Sequence, residues 1–210
     1  MLNKALRKLL YIILDQLKII MMRTTGIILA GGKSSRMGRN KALLELSGLK
    51  IIERIYKSIE HSCDEVIIIS NSPDDYRFMG LKIYKDIFPG LGPLAGIHSG
   101  LNNSKTENNL IISCDLPLIS SEVVENIIKY ESDKPVVIYQ KKNRLQYLCG
   151  IYRKACLAFL ETSLKSNNLR VKDFINKIDL EVLDAEGFPD EVFFNLNTIE
   201  DYETLVSRTK

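Results

Sequence analysis

The chain has 210 residues, of which 45% are hydrophobic and 26% charged, a composition that is ordinary for a globular protein and a length that favours one large domain. Its net charge of +3 is too small to indicate a nucleic-acid-binding protein, because the basic residues are dispersed apart from one loop. The four cysteines have no CxxC or metal-site spacing and the two histidines cannot form a His-rich metal site, so we expect reduced thiols in a cytoplasmic protein.

Apolar residues recur at helical spacing over residues 1–22, with basic residues between them, which predicts an amphipathic N-terminal helical extension. This segment is too short and too charged to be a transmembrane segment, and no small-residue cleavage site follows it. Two interpretations stay open: an added segment, or a helix that docks on the domain, on another subunit or on a membrane surface. Neither gives it a catalytic part, and we expect a single domain over residues 23–210.

The run Gly26–Leu29 is β-branched and apolar and has the length of a buried strand. It leads into the sequence LAGGKSSRMGRNK, which covers residues 29–41. The adjacent glycines Gly31 and Gly32 allow positive φ and leave no Cβ, so an anionic ligand can approach the backbone N–H groups directly. This loop therefore predicts a phosphate site, with a simple surface turn as the alternative.

Cations follow the glycine pair within ten residues. Arg36, Arg39 and Lys41 have the spacing to reach around phosphates that rest on the loop amides. The spacing GxxxxGK[ST] of a Walker A loop and the GxGxxG pattern of dinucleotide-binding proteins are both absent. The loop also comes directly off a strand end, where open α/β sheets bind their ligands.

Strand-like and helix-like segments alternate from Thr25 onward, which is the pattern of an α/β domain with a mostly parallel sheet. A final helix is expected after Thr198, with Glu200 and Asp201 in its first turn. We predict buried strands at Val66–Ile69, Leu81–Tyr84 and Leu110–Ser113, a β-hairpin over residues 135–152, and helices at Ile51–His61, Pro93–Leu101, Glu122–Tyr130, Arg153–Lys165 and Leu169–Ile175.

Polar residues that suit a ligand follow two of these strands. Asn71 lies after the second strand, where it suits either a nucleotide contact or an Asx turn. Asp115 follows Ser113 and precedes a proline two residues on, and a carboxylate there suits Mg²⁺, which is usually bound through one or two carboxylates and substrate phosphates. The alternative role for Asp115 is to cap the next helix, but Ser120 or Ser121 can cap the helix Glu122–Tyr130 instead.

A second glycine-containing turn precedes the third predicted helix. Gly92 and Pro93 turn the chain, and proline suits the first position of a helix. The small residues that follow Leu94 allow a base to lie over this turn. A tightly packed helix start is the alternative, and both can hold together.

Together these segments resemble a known family. LAGG, then RMG, then Lys41 and the run ALLEL resemble the signature of the molybdenum cofactor guanylyltransferases (the MobA family), which belong to the Mg-dependent nucleotidyltransferases. GLKIYKD ending in Asp86, GPLAGI at residues 92–97 and NLNT at residues 195–198 resemble further family segments in the same order. The resemblance covers residues 24–207.

This resemblance implies a three-layer α/β sandwich with a mostly parallel central sheet, the Rossmann-like nucleotidyltransferase fold. It implies transfer of GMP from GTP to the terminal phosphate of molybdopterin, with Mg²⁺ as the cofactor and Asp115 as its ligand. Arg36, Lys41 and Asp115 are then the expected catalytic residues. The nucleotide and its metal are expected to contact Leu29, Ala30, Gly31, Gly32, Lys41, Asn71, Asp86, Gly92, Pro93, Leu94 and Asp115.

The sequence indicates the acceptor-binding residues less closely than the nucleotide-binding residues. The family often has Gln-Pro where this chain has Gln146 and Tyr147, so the resemblance does not carry the acceptor contacts over. Arg170 and Lys172 suit an anionic pterin phosphate or a solvated helix face. Asn195 and Asn197 alternate along the chain, which places both on one face.

Three alternatives stay open for the function: a molybdopterin cytidylyltransferase, a sugar-1-phosphate nucleotidyltransferase, and a non-catalytic nucleotide-binding partner of molybdoenzymes. The expected partners are GTP, molybdopterin and protein partners of the molybdenum cofactor pathway, with no nucleic acid. A monomer or a weak homo-oligomer is expected.

Overall fold

The computed structural model describes residues 23–31 and 39–208 of the chain. The predicted extension at residues 1–22 and the predicted site residues Gly32 and Arg36 lie outside this part.

In the described chain, one sheet of seven strands forms the centre of the fold, in the order β5-β4-β1-β6-β8-β7-β9. Every strand runs in the same direction except β8, which pairs antiparallel with both β6 and β7. The prediction of a mostly parallel sheet is thus confirmed. The strands are β1 (Thr24–Leu29), β4 (Glu65–Ile69), β5 (Lys82–Tyr84), β6 (Asn108–Ser113), β7 (Val136–Lys141), β8 (Arg144–Arg153) and β9 (Leu180–Asp184), and β2 (Glu45–Leu46) and β3 (Leu49–Lys50) form a separate small hairpin.

Helices cover both faces of this sheet and make it the middle of three layers, as predicted. Buried side chains of α1, α3 and α6 belong to the core on one face, and those of α2, α4 and α5 to the core on the other. Over the residues described, the helices are α1 (Ile51–Ile59), α2 (Pro93–Asn103), α3 (Ser121–Lys129), α4 (Leu157–Lys165), α5 (Val171–Ile175) and α6 (Ile199–Arg208).

Burial on both faces explains why the central strands are continuous apolar runs. In β1, Ile28 packs into one core while Ile27 and Leu29 pack into the other. In β4 the alternation repeats, with Ile68 on the first side and Ile67 on the second. Parallel strands covered by helices on both sides have this composition in general, which is why the sequence predicts them well.

The hairpin is also as predicted, whereas one edge strand was not predicted. Lys142 and Asn143 connect β7 to β8 with φ values of 48° and 60°, the conformation of a tight two-residue turn. Strand β9 pairs with β7 and has an exposed Val182. Because it mixes polar and apolar residues, it lacks the continuous apolar run of a buried strand, and the sequence does not predict it.

Gly150 in β8 offers a test of the sheet packing. A Cβ at this position would lie 2.6 Å from the Val137 carbonyl oxygen and 2.6 Å from Ile138 Cγ2. Because the backbone oxygen cannot move aside cheaply, we expect Gly150→Ala to lower the free energy of unfolding by about 1–3 kcal/mol through overpacking. Urea unfolding measures this difference. Gly187→Ala is the control, because nothing lies within 4 Å of its Cβ position, and equal effects of the two substitutions would contradict the packing argument.

Candidate active site

The carboxyl ends of β1, β4 and β6 meet at one edge of the sheet. Two backbone hydrogen bonds continue the pairing past the strand ends: Ala30 N–H donates to the Ile69 carbonyl at 3.0 Å, and Cys114 N–H donates to the Leu29 carbonyl at 3.2 Å. The loop after β1 and the loop that carries Asp115 therefore begin side by side. Open parallel sheets bind their ligands at this edge.

The end of β1 is buried up to Ala30, and the chain becomes exposed at Gly31. Leu29 and Ala30 are only 7% and 8% exposed, and their side chains belong to the two cores. Gly31 is exposed. Of these three residues, Gly31 is therefore the one that a ligand can reach, and peptide groups of glycine-containing turns are common phosphate contacts.

Tyr76 connects the two ends of the loop and was not predicted to be part of the site. It is completely buried; its hydroxyl donates to the Ala30 carbonyl at 2.9 Å and accepts from Asn40 Nδ2 at 2.9 Å. Asn40 Oδ1 accepts in turn from Ala42 N–H at 3.2 Å and caps a short 3-10 turn, Lys41–Leu43. Burial raises the pKa of Tyr76 to about 12, so the hydroxyl stays a donor at neutral pH.

Lys41 and Asp115 are linked through a third segment. Lys41 Nζ donates to the Leu196 carbonyl at 3.3 Å, and Leu196 N–H donates to the Asp115 carbonyl at 2.8 Å. Burial raises the pKa of the Cys114 thiol to about 12, and the nearby Lys41 ammonium and Asp115 carboxylate act on it in opposite directions. The structure thus brings these two predicted catalytic residues together.

The surroundings of Asp115 fit a Mg²⁺ ligand. Its Oδ1 is hydrogen bonded to the Ser113 hydroxyl, and its N–H donates to Ser113 Oγ at 3.3 Å. Residues 23–31 and 39–208 contain no group of three or more His, Cys, Asp or Glu side chains that could hold a metal by themselves. A single carboxylate is compatible with Mg²⁺, because this ion takes its other ligands from substrate phosphates and water.

Asn71 and Asp86 form a reciprocal pair at the ends of β4 and β5. Asn71 Nδ2 donates to Asp86 Oδ2 at 2.8 Å, and Asp86 N–H donates to Asn71 Oδ1 at 3.1 Å. Asp86 Oδ1 is buried and accepts no hydrogen bond from any residue that the structure describes. Burial raises the pKa of Asp86, and the Asn71 hydrogen bond partly opposes this effect. Buried oxygens without a donor are rare, so Asp86 Oδ1 is an acceptor whose donor the described residues do not supply.

The turn before α2 lies close to Asp86. Gly92 has φ of 75°, a conformation that favours glycine, and Pro93 occupies the first turn of the helix. Leu94 is 0% exposed and belongs to the hydrophobic core under α2. Ile87 N–H donates to Ser99 Oγ of α2 at 2.8 Å, which ties the loop that follows Asp86 to this helix.

The cysteines take no chemical part at this edge. All four are free, as predicted, and burial raises the pKa of Cys149, near Asp115, to about 12. Protonated thiols are poor nucleophiles and poor metal ligands. Burial therefore disfavours the thiolate form of Cys114 and Cys149 at neutral pH.

A cavity of about 220 Å³ opens beside Asp115. Its walls come from the end of β6, from the first half of β8 and from the segment before α6. Arg170, the N-cap residue of α5, and Lys172 within α5 are the cations suggested for the acceptor; neither lines the cavity, nor does Asn197. The residues around it are Asp115, Leu116, Arg144, Leu145, Gln146, Tyr147, Leu148 and Asn195.

Sequence comparison agrees with this geometry. The model of the MobA-like NTP transferase domain matches residues 26–181 of the chain. The chain belongs to the MobA-like NTP transferase family. A Clostridium perfringens protein named "Probable molybdenum cofactor guanylyltransferase" is 41% identical over 196 residues, which cover 90% of this chain and 98% of that one. A Desulfosudis oleivorans protein named molybdenum cofactor guanylyltransferase is 36% identical over 186 residues, covering 85% of this chain and 92% of its own.

Solved structures share the fold of this MobA-like chain. The molybdopterin-guanine dinucleotide biosynthesis protein A of Archaeoglobus fulgidus superposes with a TM-score of 0.74 at 19% identity, covering 88% of this chain and 97% of that one. The 4-diphosphocytidyl-2C-methyl-D-erythritol synthase of Anaerococcus prevotii gives 0.68 at 15% identity, covering 91% and 98%. The predicted nucleotidyltransferase fold is confirmed. No helix in the described ranges has both the length and the apolar character to cross a bilayer.

Tyr76→Phe tests whether the hydroxyl holds the loop ends together. The substitution leaves the buried Ala30 carbonyl without its donor, and we expect the free energy of unfolding to fall by about 1–3 kcal/mol, the usual cost of such a group. Urea unfolding measures it. Tyr130→Phe is the matched control because Tyr130 is 43% exposed. A Tyr76→Phe protein as stable as the control variant would contradict this account.

Proposed function

We propose that this chain is a molybdenum cofactor guanylyltransferase, which transfers GMP from GTP to the terminal phosphate of molybdopterin and releases pyrophosphate. The observation that carries the proposal is the 36–41% identity to proteins of that name over 85–90% of the chain. The meeting of Gly31, Lys41 and Asp115 at one sheet edge supports it. These are the groups that a nucleotidyl transfer needs: phosphate-binding amides, a cation and a carboxylate for a metal.

In this reaction an oxygen of the acceptor phosphate attacks the α-phosphorus of GTP in line. A new P–O bond forms, the bond between the α-phosphorus and the bridging oxygen breaks, and the electron pair leaves with pyrophosphate. Little covalent chemistry is asked of the protein, so positioning and charge stabilisation dominate.

The chain's own groups divide this work. Backbone N–H groups at Gly31 bind the phosphates, and the Lys41 ammonium offsets the charge that develops on pyrophosphate. Asp115 holds Mg²⁺, which supplies further charge neutralisation on the triphosphate when it is bound. Arg36 belongs to the same scheme through the family signature.

Asp86 supports guanine as the base. Its buried Oδ1 lacks a donor among the residues described, and guanine presents two N–H groups side by side on its Watson–Crick edge, which a carboxylate can accept together. Cytosine and uracil present one donor group at most beside an acceptor. The carboxylate therefore favours GTP over CTP or UTP, and Asn71 keeps it oriented through their reciprocal hydrogen bonds.

Removal of either catalytic group tests the reaction. We expect Lys41→Ala and Asp115→Ala each to lower turnover by at least ~100-fold in a protein that stays folded, as is usual when one preorganised electrostatic group is lost. Pyrophosphate release from GTP and molybdopterin with Mg²⁺ measures turnover. Lys57→Ala, an exposed lysine on α1, is the control for lost charge. Absence of pyrophosphate release by the unaltered protein would instead indicate a non-catalytic nucleotide-binding partner.

Asp86→Asn tests base recognition. Charge-assisted hydrogen bonds contribute about 1.5–3 kcal/mol, so we expect the Kd for GTP, measured calorimetrically, to rise about 10- to 100-fold. Asp133→Asn, at the opposite edge of the sheet, should leave this Kd unchanged. Thermal stabilisation by CTP equal to that by GTP would favour the cytidylyltransferase alternative.

The same variant has a pH signature. Burial raises the pKa of Asp86 above its ordinary value of 3.8, so in the free protein the ionised side chain costs stability. This cost is absent below pH 3.8 and appears as the pH rises through the folded-state pKa. Asp86→Asn should therefore be at least as stable as the unaltered protein at pH 7, while it loses affinity for GTP.

A further inference from the structure

The cavity beside Asp115 results from an irregularity between β7 and β8. Ile138 pairs with Gly150 and Gln140 pairs with Leu145, so Tyr139 alone on β7 faces the four residues 146–149 on β8. The extra residues bend β8 away from a regular ladder at the level of Asp115. Bulges next to active sites commonly redirect side chains in this way.

Cations on this hairpin differ in whether they are neutralised. Lys141 Nζ lies 3.3 Å from Asp190 Oδ1 and 3.4 Å from Glu186 Oε2, and Lys142 Nζ is also ion-paired with Asp190. Arg144 lines the cavity and is exposed, and its side chain makes no ion pair or hydrogen bond within residues 23–31 and 39–208. Of the three cations at the turn of the hairpin, Lys141 and Lys142 are therefore used in folding, and Arg144 is ion-paired with no residue that the structure describes.

We infer that this cavity binds the phosphate-bearing end of the acceptor and that Arg144 binds the attacking phosphate. The inference rests on the proposed function. An anionic nucleophile that approaches a triphosphate is repelled by it, and a guanidinium offsets that repulsion while its fork of N–H donors fixes the phosphate oxygens. Asp115 is expected to lie next to the α-phosphate, and it lines the same cavity as Arg144. A phosphate held by Arg144 therefore lies on a side from which it can attack the α-phosphorus.

The remaining wall residues fit the same ligand. Gln146 and Asn195 add amide groups, and Tyr147 adds an aromatic ring. Amide groups suit the hydrogen-bonding edge of a pterin, and an aromatic side chain suits its flat ring. The position of Gln146 and Tyr147 is where this sequence departs from the family's Gln-Pro, so the departure falls on the acceptor side and not on the nucleotide side.

Kinetics with the acceptor as the varied substrate test this inference. We expect Arg144→Gln to raise the KM for molybdopterin about 10- to 100-fold, the effect of losing one charge-assisted bidentate contact of about 1.5–3 kcal/mol. The calorimetric Kd for GTP with Mg²⁺ should stay within about 2-fold, because this contact is not made to the nucleotide. Arg144→Lys should recover part of the loss, since it restores the charge without the fork.

Lys142→Gln is the matched control, because it removes the same charge two residues away and outside the cavity. Thermal melting of all three variants checks that they fold. If Arg144→Gln and Lys142→Gln give the same KM for molybdopterin in an active enzyme, the assignment of Arg144 is overturned, while the proposed function stands. A raised Kd for GTP with an unchanged KM for molybdopterin would also overturn it, by placing Arg144 on the nucleotide. Failure of the unaltered protein to form product from GTP and molybdopterin would overturn the proposed function together with this inference.

Discussion

The parallel pairing of β1 with β6 is the constraint on which the site depends. Because Leu29 is opposite Ser113 in this pairing, the loop after β1 and Asp115 emerge at the same edge with no intervening structure. A slip of one residue would turn every side chain of a strand to the other face. The register is therefore fixed by burial, since both faces of β1 are covered and each residue fits only one of the two cores.

Hydrogen bonds from distant segments then fix the positions of the functional groups on this frame. Tyr76 holds Ala30 and Asn40, Asn40 caps the turn of Lys41, and the Leu196 backbone joins Lys41 to Asp115. Each such bond contributes modestly on its own, but a buried group that loses its partner costs more than the bond is worth. The position of the ammonium relative to the carboxylate is thus set by several groups in series, as catalysis through preorganised charge requires.

A structural feature could be predicted from the sequence when the residues that determine it are close together in the chain. Strands β1, β4 and β6 are apolar runs buried on both faces, and Thr198 and Ser120 are local caps, so neighbouring residues are enough to recognise them. Strand β9 is an edge strand with exposed residues and carries no such pattern. Tyr76 lies 46 positions from Ala30, and nothing in its own segment marks it as a partner of the segment that follows β1. Arg144 lies in the predicted hairpin, but no local pattern shows that Asp190 pairs with Lys141 and Lys142, whereas Arg144 has no ion pair among the residues that the structure describes.

The buried side chain of Asp86 lowers the stability of the free protein when it is ionised. A carboxylate at this position is desolvated by its surroundings, and Asn71 satisfies only one of its oxygens. Such a group persists where the rest of the structure over-determines its geometry, and here the strand ends and the hydrogen bond from Ile87 to Ser99 hold the loop in place. Under the proposed function, this cost is recovered when guanine supplies the missing donors, so the free energy that folding loses at Asp86 reappears as discrimination between bases. Affinity then resides in the phosphate contacts that all nucleotides share, and specificity resides in one incompletely satisfied carboxylate.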